Sequence, residues 1–129
     1  MYLFNQKSAA KILETFLDMI QDAEKQYEIA HAEVNQKDSE TQDYMHALEL
    51  QNLSYNQCCK VATKLKRCRQ QRRKNKDIVE QLQPLISYMD KNKNILNGLK
   101  GLLGELRKQD KYLNSRQYFP RVIKDVTKE

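Results

Sequence analysis

"KDSETQ", residues 37–42, lies between two runs of apolar residues, and whether the chain turns there decides how its helices pair. Upstream, Ala9, Leu13, Phe16, Ile20, Ala23, Tyr27, Ala30 and Val34 follow one another in steps of four and three. That is the seam of one helix packed on another. Within the six residues, Ser39 can cap a new helix while Gln42 reaches back to complete a capping box. The expectation is a first helix over 7–36, a turn near 37–38, and a long middle helix over 39–90.

Downstream, Tyr44, Leu48, Gln51, Tyr55, Cys58, Ala62 and Leu65 repeat the spacing. Two such helices joined by a short turn form an antiparallel hairpin. With the turn at 37–38, Leu65 falls near Ala10, so the first helix runs out beneath about residue 68. His31 and His46 then face each other beside the turn. There they read as ordinary flank residues rather than metal ligands or a pH sensor.

Where that partner is expected to end, the chain becomes uniformly basic. "KLKRCRQQRRKNK", residues 64–76, holds eight lysines and arginines and no acid. The formal net charge of +6 is unevenly spread: residues 1–59 carry −6, residues 60–76 carry +9 and residues 77–129 carry +3. From Arg69 to Asp77 there is no apolar side chain, yet most residues are good helix formers. The helix is therefore expected to continue without a core beneath it. Apolar spacing resumes at Val79, Leu82, Ile86 and Met89, with a kink or break expected near 75–84, at Pro84 or at an Asp77 cap.

"DKNKN", residues 90–94, is the next turn, followed by a third helix over 94–113 through Ile95, Leu96, Leu99, Leu102, Leu103, Leu106 and Leu113. It pairs back on the middle helix. A tail over 114–129 carries Tyr118, Phe119, Val122 and Ile123, enough to dock an end. The whole is read as one all-α domain of elongated, coiled-coil-like antiparallel hairpins, about three helices sharing a long middle helix. Only 3 Gly and 2 Pro in 129 residues leave little turn chemistry for an all-β fold. All three glycines, Gly98, Gly101 and Gly104, lie on the third helix, where each costs roughly 1 kcal/mol relative to alanine. Close approach of another backbone along that face is the expected reason.

No sequence run approaches the ~20 apolar residues of a membrane span, and the first residues do not read as a signal peptide. The odd count of 3 cysteines, two of them adjacent as Cys58 and Cys59, suits a reducing, cytoplasmic compartment. Cys58 and Cys68 are about 15 Å apart along a helix and cannot share a metal, so the cysteines read as packing residues. No nucleophile is paired with a base at workable spacing, and Glu14, Asp18 and Asp22 read as surface charges. The chain is thus read as a non-enzyme that implies no cofactor and no metal.

The basic band carries the functional expectation: Lys60, Lys64, Lys66, Arg67, Arg69, Arg72, Arg73, Lys74 and Lys76. Its arginines suit bidentate contacts to carboxylates, and its lack of interleaved aromatics disfavours base stacking. The leading expectation is an interaction protein that docks an acidic protein or nucleoprotein. A DNA- or RNA-binding accessory protein is the alternative, because the same cations can follow phosphates. An oligomeric coiled-coil scaffold, with a homodimer as its simplest form, is the third.

The stretch "LKRCRQQRRKNKDIVEQLQPLI" (65–86), with "LGELRKQDKYLNSRQYFPRV" (103–122), resembles short helical proteins of bacteriophages and integrated elements of low-GC Gram-positive bacteria. Arg72, Arg73 and Lys74 match their basic run, Leu82 and Pro84 their Leu-x-Pro, and Tyr118 their tail. The resemblance covers about half the chain. It implies a phage or mobile-element origin and hence a bacterial host cytoplasm. Such proteins include inhibitors of host defence complexes and helpers of phage DNA metabolism.

Overall fold

The computed structural model describes residues 8–123 and 125–127. The expected helix start at Lys7, the first residues and the end of the tail fall outside them. The described residues form three α-helices and no strand: α1 (Ala9–Leu50, 42 residues), α2 (Tyr55–Lys91, 37 residues) and α3 (Lys93–Ser115, 23 residues). None of them is long and apolar enough to cross a membrane.

The expected turn at 37–38 is not there. α1 runs straight through "KDSETQ" because nothing in it breaks a helix, and Lys37 ties both sides together. Its ammonium lies 3.6 Å from Glu33 and 2.9 Å from Glu40, one turn back and one turn on. The stop comes at residues 51–54, where Ser54 takes an extended conformation and caps α2. Gln57 N–H donates to the Ser54 hydroxyl oxygen at 3.2 Å, and Ser54 N–H donates to Gln57 Oε1 at 2.9 Å. A capping box does open the second helix, but it is Ser54–Gln57 and not Ser39–Gln42.

Moving the turn by some fifteen residues changes every pairing between the two helices. Thr41 meets Cys68, Asp38 meets Arg72, and Tyr27 donates its hydroxyl to Gln83 at 2.5 Å. Partner numbers fall on α1 as they rise on α2, so the helices are antiparallel. His31 and His46 both lie exposed on α1, about 22 Å apart along its axis, and do not meet. His31 instead leans against Tyr27, ring centroids 6.0 Å apart.

The seam of α2 is continuous. Cys58, Val61, Leu65, Cys68, Arg72, Asn75, Val79, Leu82, Ile86 and Met89 alternate by three and four, and all are buried or half-buried. Tyr55, 81% exposed, and Ala62, also exposed, stand off the expected line. α2 also passes through Pro84 and through Asn75–Asp77 as a single helix. Asn75 stays within it by donating its side-chain amide to the Gln71 carbonyl at 2.9 Å.

The chain packs as two units. Residues 18–93 form one, the long hairpin of α1 on α2. Its core is Ala30, Val34 and Val79, with Tyr27 against them. Ala30, 2% exposed, is the small residue that lets the helices close there. The described parts of 1–17 and 94–129 form the other, where the first turns of α1 go with α3. Ala10 and Leu103 are its buried residues, and Arg107 lies 3.5 Å from Glu14. Ala9 and Phe16 are exposed, so the α1 seam there runs through Ala10, Leu13 and Leu17 instead.

The three glycines of α3 are all exposed, and a β-carbon on any of them would meet nothing within 4 Å. The expected close backbone approach is absent at each. The tail residues expected to dock, Tyr118, Phe119, Val122 and Ile123, are 63–89% exposed.

Candidate nucleic-acid and acidic-surface interface

Two of the seam positions on α2, Arg72 and Asn75, hold polar side chains where an apolar residue would pack. The opposite stretch of α1 answers with Lys37, Asp38 and Thr41. Arg72 donates from Nε to Asp38 Oδ1 at 2.5 Å, and Arg69 Nη1 lies 3.5 Å from the same oxygen. Thr41, 9% exposed, donates its hydroxyl to the Lys37 carbonyl at 2.8 Å, and the Cys68 thiol donates to that carbonyl at 3.4 Å. The hydrogen bond from the Lys37 ammonium to Glu40 raises its pKa above the ordinary 10.5, against a smaller opposing effect of desolvation. The basic band therefore does have a partner helix beneath it, contrary to the sequence expectation. The layer between them is polar.

This layer divides the band. Arg72 faces inward, its side chain only 20% exposed, and with Arg69 it neutralises Asp38. Lys76 is half-buried beside the seam. The other six, Lys60, Lys64, Lys66, Arg67, Arg73 and Lys74, are exposed and make no ion pair among the described residues. From Tyr55 to Lys76, α2 contains no acid; the first, Asp77, lies four residues after Arg73 and makes no ion pair with it among the described residues.

At 3.6 residues per turn, the seam fixes where each of these points. Thr63 and Gln70 occupy the row opposite the seam. Lys66 and Arg73 lie on one flank of that row, and Lys60, Arg67 and Lys74 on the other. Lys64 sits nearer the seam. Arg67, Gln70, Gln71, Arg73 and Lys74 line one shallow depression, and Cys59, Lys60, Thr63, Lys64 and Arg67 line the next. Each is walled by α2 alone, so neither encloses a small substrate. Such a surface can meet an extended polyanion, at a contact sensitive to salt.

The cysteines divide by depth: Cys68 is buried, Cys58 half-buried and Cys59 exposed. Among the described residues, no three His, Cys, Asp or Glu side chains gather in a way that could hold a metal ion. Sequence reasoning located the cationic surface but missed that Arg72 belongs to the seam. Stepping seven residues back from Val79 lands on Arg72, and from Leu82 on Asn75. That was the available signal. Comparison of the chain with protein-family models, with curated proteins and with solved structures finds no match.

Proposed function

We propose that this chain is a non-catalytic binding protein that docks a polyanionic target, an acidic protein or a nucleoprotein, through the outer face of α2. The observation that carries this reading is the set of six exposed cations left without an ion pair along one helix. Keeping like charges this close is unfavourable for the free protein, and an anionic partner relieves it. Arg72 and Arg69 have a structural use at Asp38; the outer six make no ion pair among the described residues. The resemblance to phage and mobile-element proteins agrees with a target such as a host defence complex.

Salt elution from immobilised heparin tests this directly. The wild type is expected to be retained well above ~150 mM salt, where exposed charges are screened beyond about 8 Å. A variant with Lys60, Lys64, Lys66, Arg67, Arg73 and Lys74 changed to glutamine should pass through. A wild type that fails to bind at low salt refutes the reading.

A further inference from the structure

We infer that the outer face of α2 is shaped to enter the major groove of a B-form DNA duplex, with Thr63 and Gln70 toward the base edges and Lys66, Arg73, Lys60, Arg67 and Lys74 on the phosphates of the two strands. This deepens the reading above by naming the polyanion.

Three features separate a duplex from an acidic protein. Protein interfaces depend on a few apolar or aromatic anchors at their centre. Between Tyr55 and Ile78 no large apolar side chain is exposed on α2, so the centre of the face has no such anchor; the exposed Tyr55 and Ile78 stand at its two ends. Protein–DNA interfaces, in contrast, are polar and strongly cationic. Second, between Lys60 and Lys74 the charge is arranged in two flanks with an uncharged row between them, a row that ends at the exposed acid Asp77, seven residues after Gln70. A patch for carboxylates has no need of that gap. A groove does, because its two walls are phosphate and its floor presents hydrogen-bonding base edges. Gln70, which has both a donor and an acceptor amide, is placed on that middle row. It can pair bidentately with an adenine edge.

The dimensions agree. A helix with side chains is about 10–12 Å across, and the major groove is about 12 Å wide. Lys60 to Lys74 spans about 21 Å of helix, roughly six base pairs. α1 covers only the seam side of α2, where Cys68 and Val79 are buried, and leaves the opposite rows exposed. The major groove of A-form RNA is too deep and narrow for such a helix, so the face discriminates against duplex RNA.

Fluorescence anisotropy with the full chain tests the inference. The probes are a labelled DNA duplex of about 20 bp, an RNA duplex of the same sequence, and labelled poly-L-glutamate. Five phosphate contacts give a log–log salt slope near −4.5, so going from 50 to 200 mM salt should weaken DNA binding roughly 500-fold. RNA and polyglutamate should bind at least about tenfold more weakly at each salt concentration. The variant Arg67→Gln/Arg73→Gln, which leaves the seam intact, should reduce the slope by about two. Gln70→Ala should change the preference among DNA sequences without changing the slope. DNA binding no tighter than RNA or polyglutamate, or a slope unmoved by the double variant, overturns the inference. Polyglutamate bound in preference to DNA removes the duplex but leaves the acidic-target reading standing. If none of the three binds at 50 mM and heparin retention also fails, both readings fall.

Discussion

Replacing Arg72 with leucine should make the hairpin more stable, although it removes the shortest ion pair between α1 and α2. Arg72 occupies a seam position with its side chain 20% exposed, while its partner Asp38 is 45% exposed and lies 3.5 Å from Arg69 as well. The pair is thus half in water, where such interactions are typically worth about 0.2–1 kcal/mol. After the change, Asp38 keeps Arg69 and solvent, so no buried charge is stranded. Leucine in the seam supplies apolar burial worth up to about 1.5–3 kcal/mol, discounted because the arginine stem already covers part of that surface. The net expectation is a gain of about 0.5–1.5 kcal/mol. Arg72→Ala, which leaves a gap, should lose about 1 kcal/mol or more. Asp38→Ala should also destabilise, because it removes the partner of the more buried member. Urea unfolding followed by circular dichroism measures this: with m near 2 kcal/mol/M, the leucine variant's midpoint should rise by about 0.25–0.75 M. A fall of more than ~0.5 M would mean that the polar layer holds the hairpin together, and the reasoning would be wrong.

The turn can be located by its caps: Ser54→Ala should cost about 1 kcal/mol, and Ser39→Ala, in mid-helix and exposed, close to nothing by the same unfolding assay. Gly98→Ala, Gly101→Ala and Gly104→Ala each meet open space, so each should stabilise α3 by up to about 1 kcal/mol, seen as a higher thermal midpoint. Ala30→Leu forces three extra carbons into the tightest point of the hairpin core and should lose about 1–3 kcal/mol. Because the pKa of Lys37 is raised in the folded state, its contribution is complete below about pH 10.5 and is lost as pH rises through the folded value. The stability difference between wild type and Lys37→Met should therefore shrink as pH rises above about 10.5; a difference that stays constant would show that its charge contributes nothing.

Helix content and the position of the cationic surface were legible in the sequence because both rest on local properties: propensity, spacing and net charge. The placement of the turn was not, because two Ser-x-x-Gln boxes compete for it and a cap motif measures only the first turn of a helix. What discriminates between them is the phase of the seam. Ala30, Val34, Lys37, Thr41 and Tyr44 keep alternating by four and three across "KDSETQ", all buried or half-buried, whereas a real turn there would reset the phase. Lys37 and Thr41 hid this continuity by being polar. Arg72 and Asn75 hid it in the same way on α2, and the two concealments are one fact, since these residues lie in the same layer. Polar side chains in an otherwise apolar seam are unfavourable for stability but restrict pairing to the register in which they meet one another. A slip by one heptad would put Arg72 against apolar neighbours and leave Asp38 without it. The layer thus fixes which face of α2 is inward, and thereby which cations remain outward for a partner. The stretch from Arg69 to Lys76, with neither an acid nor a large apolar side chain, divides along that line, into a register device on the inner face and the surface proposed for binding on the outer one.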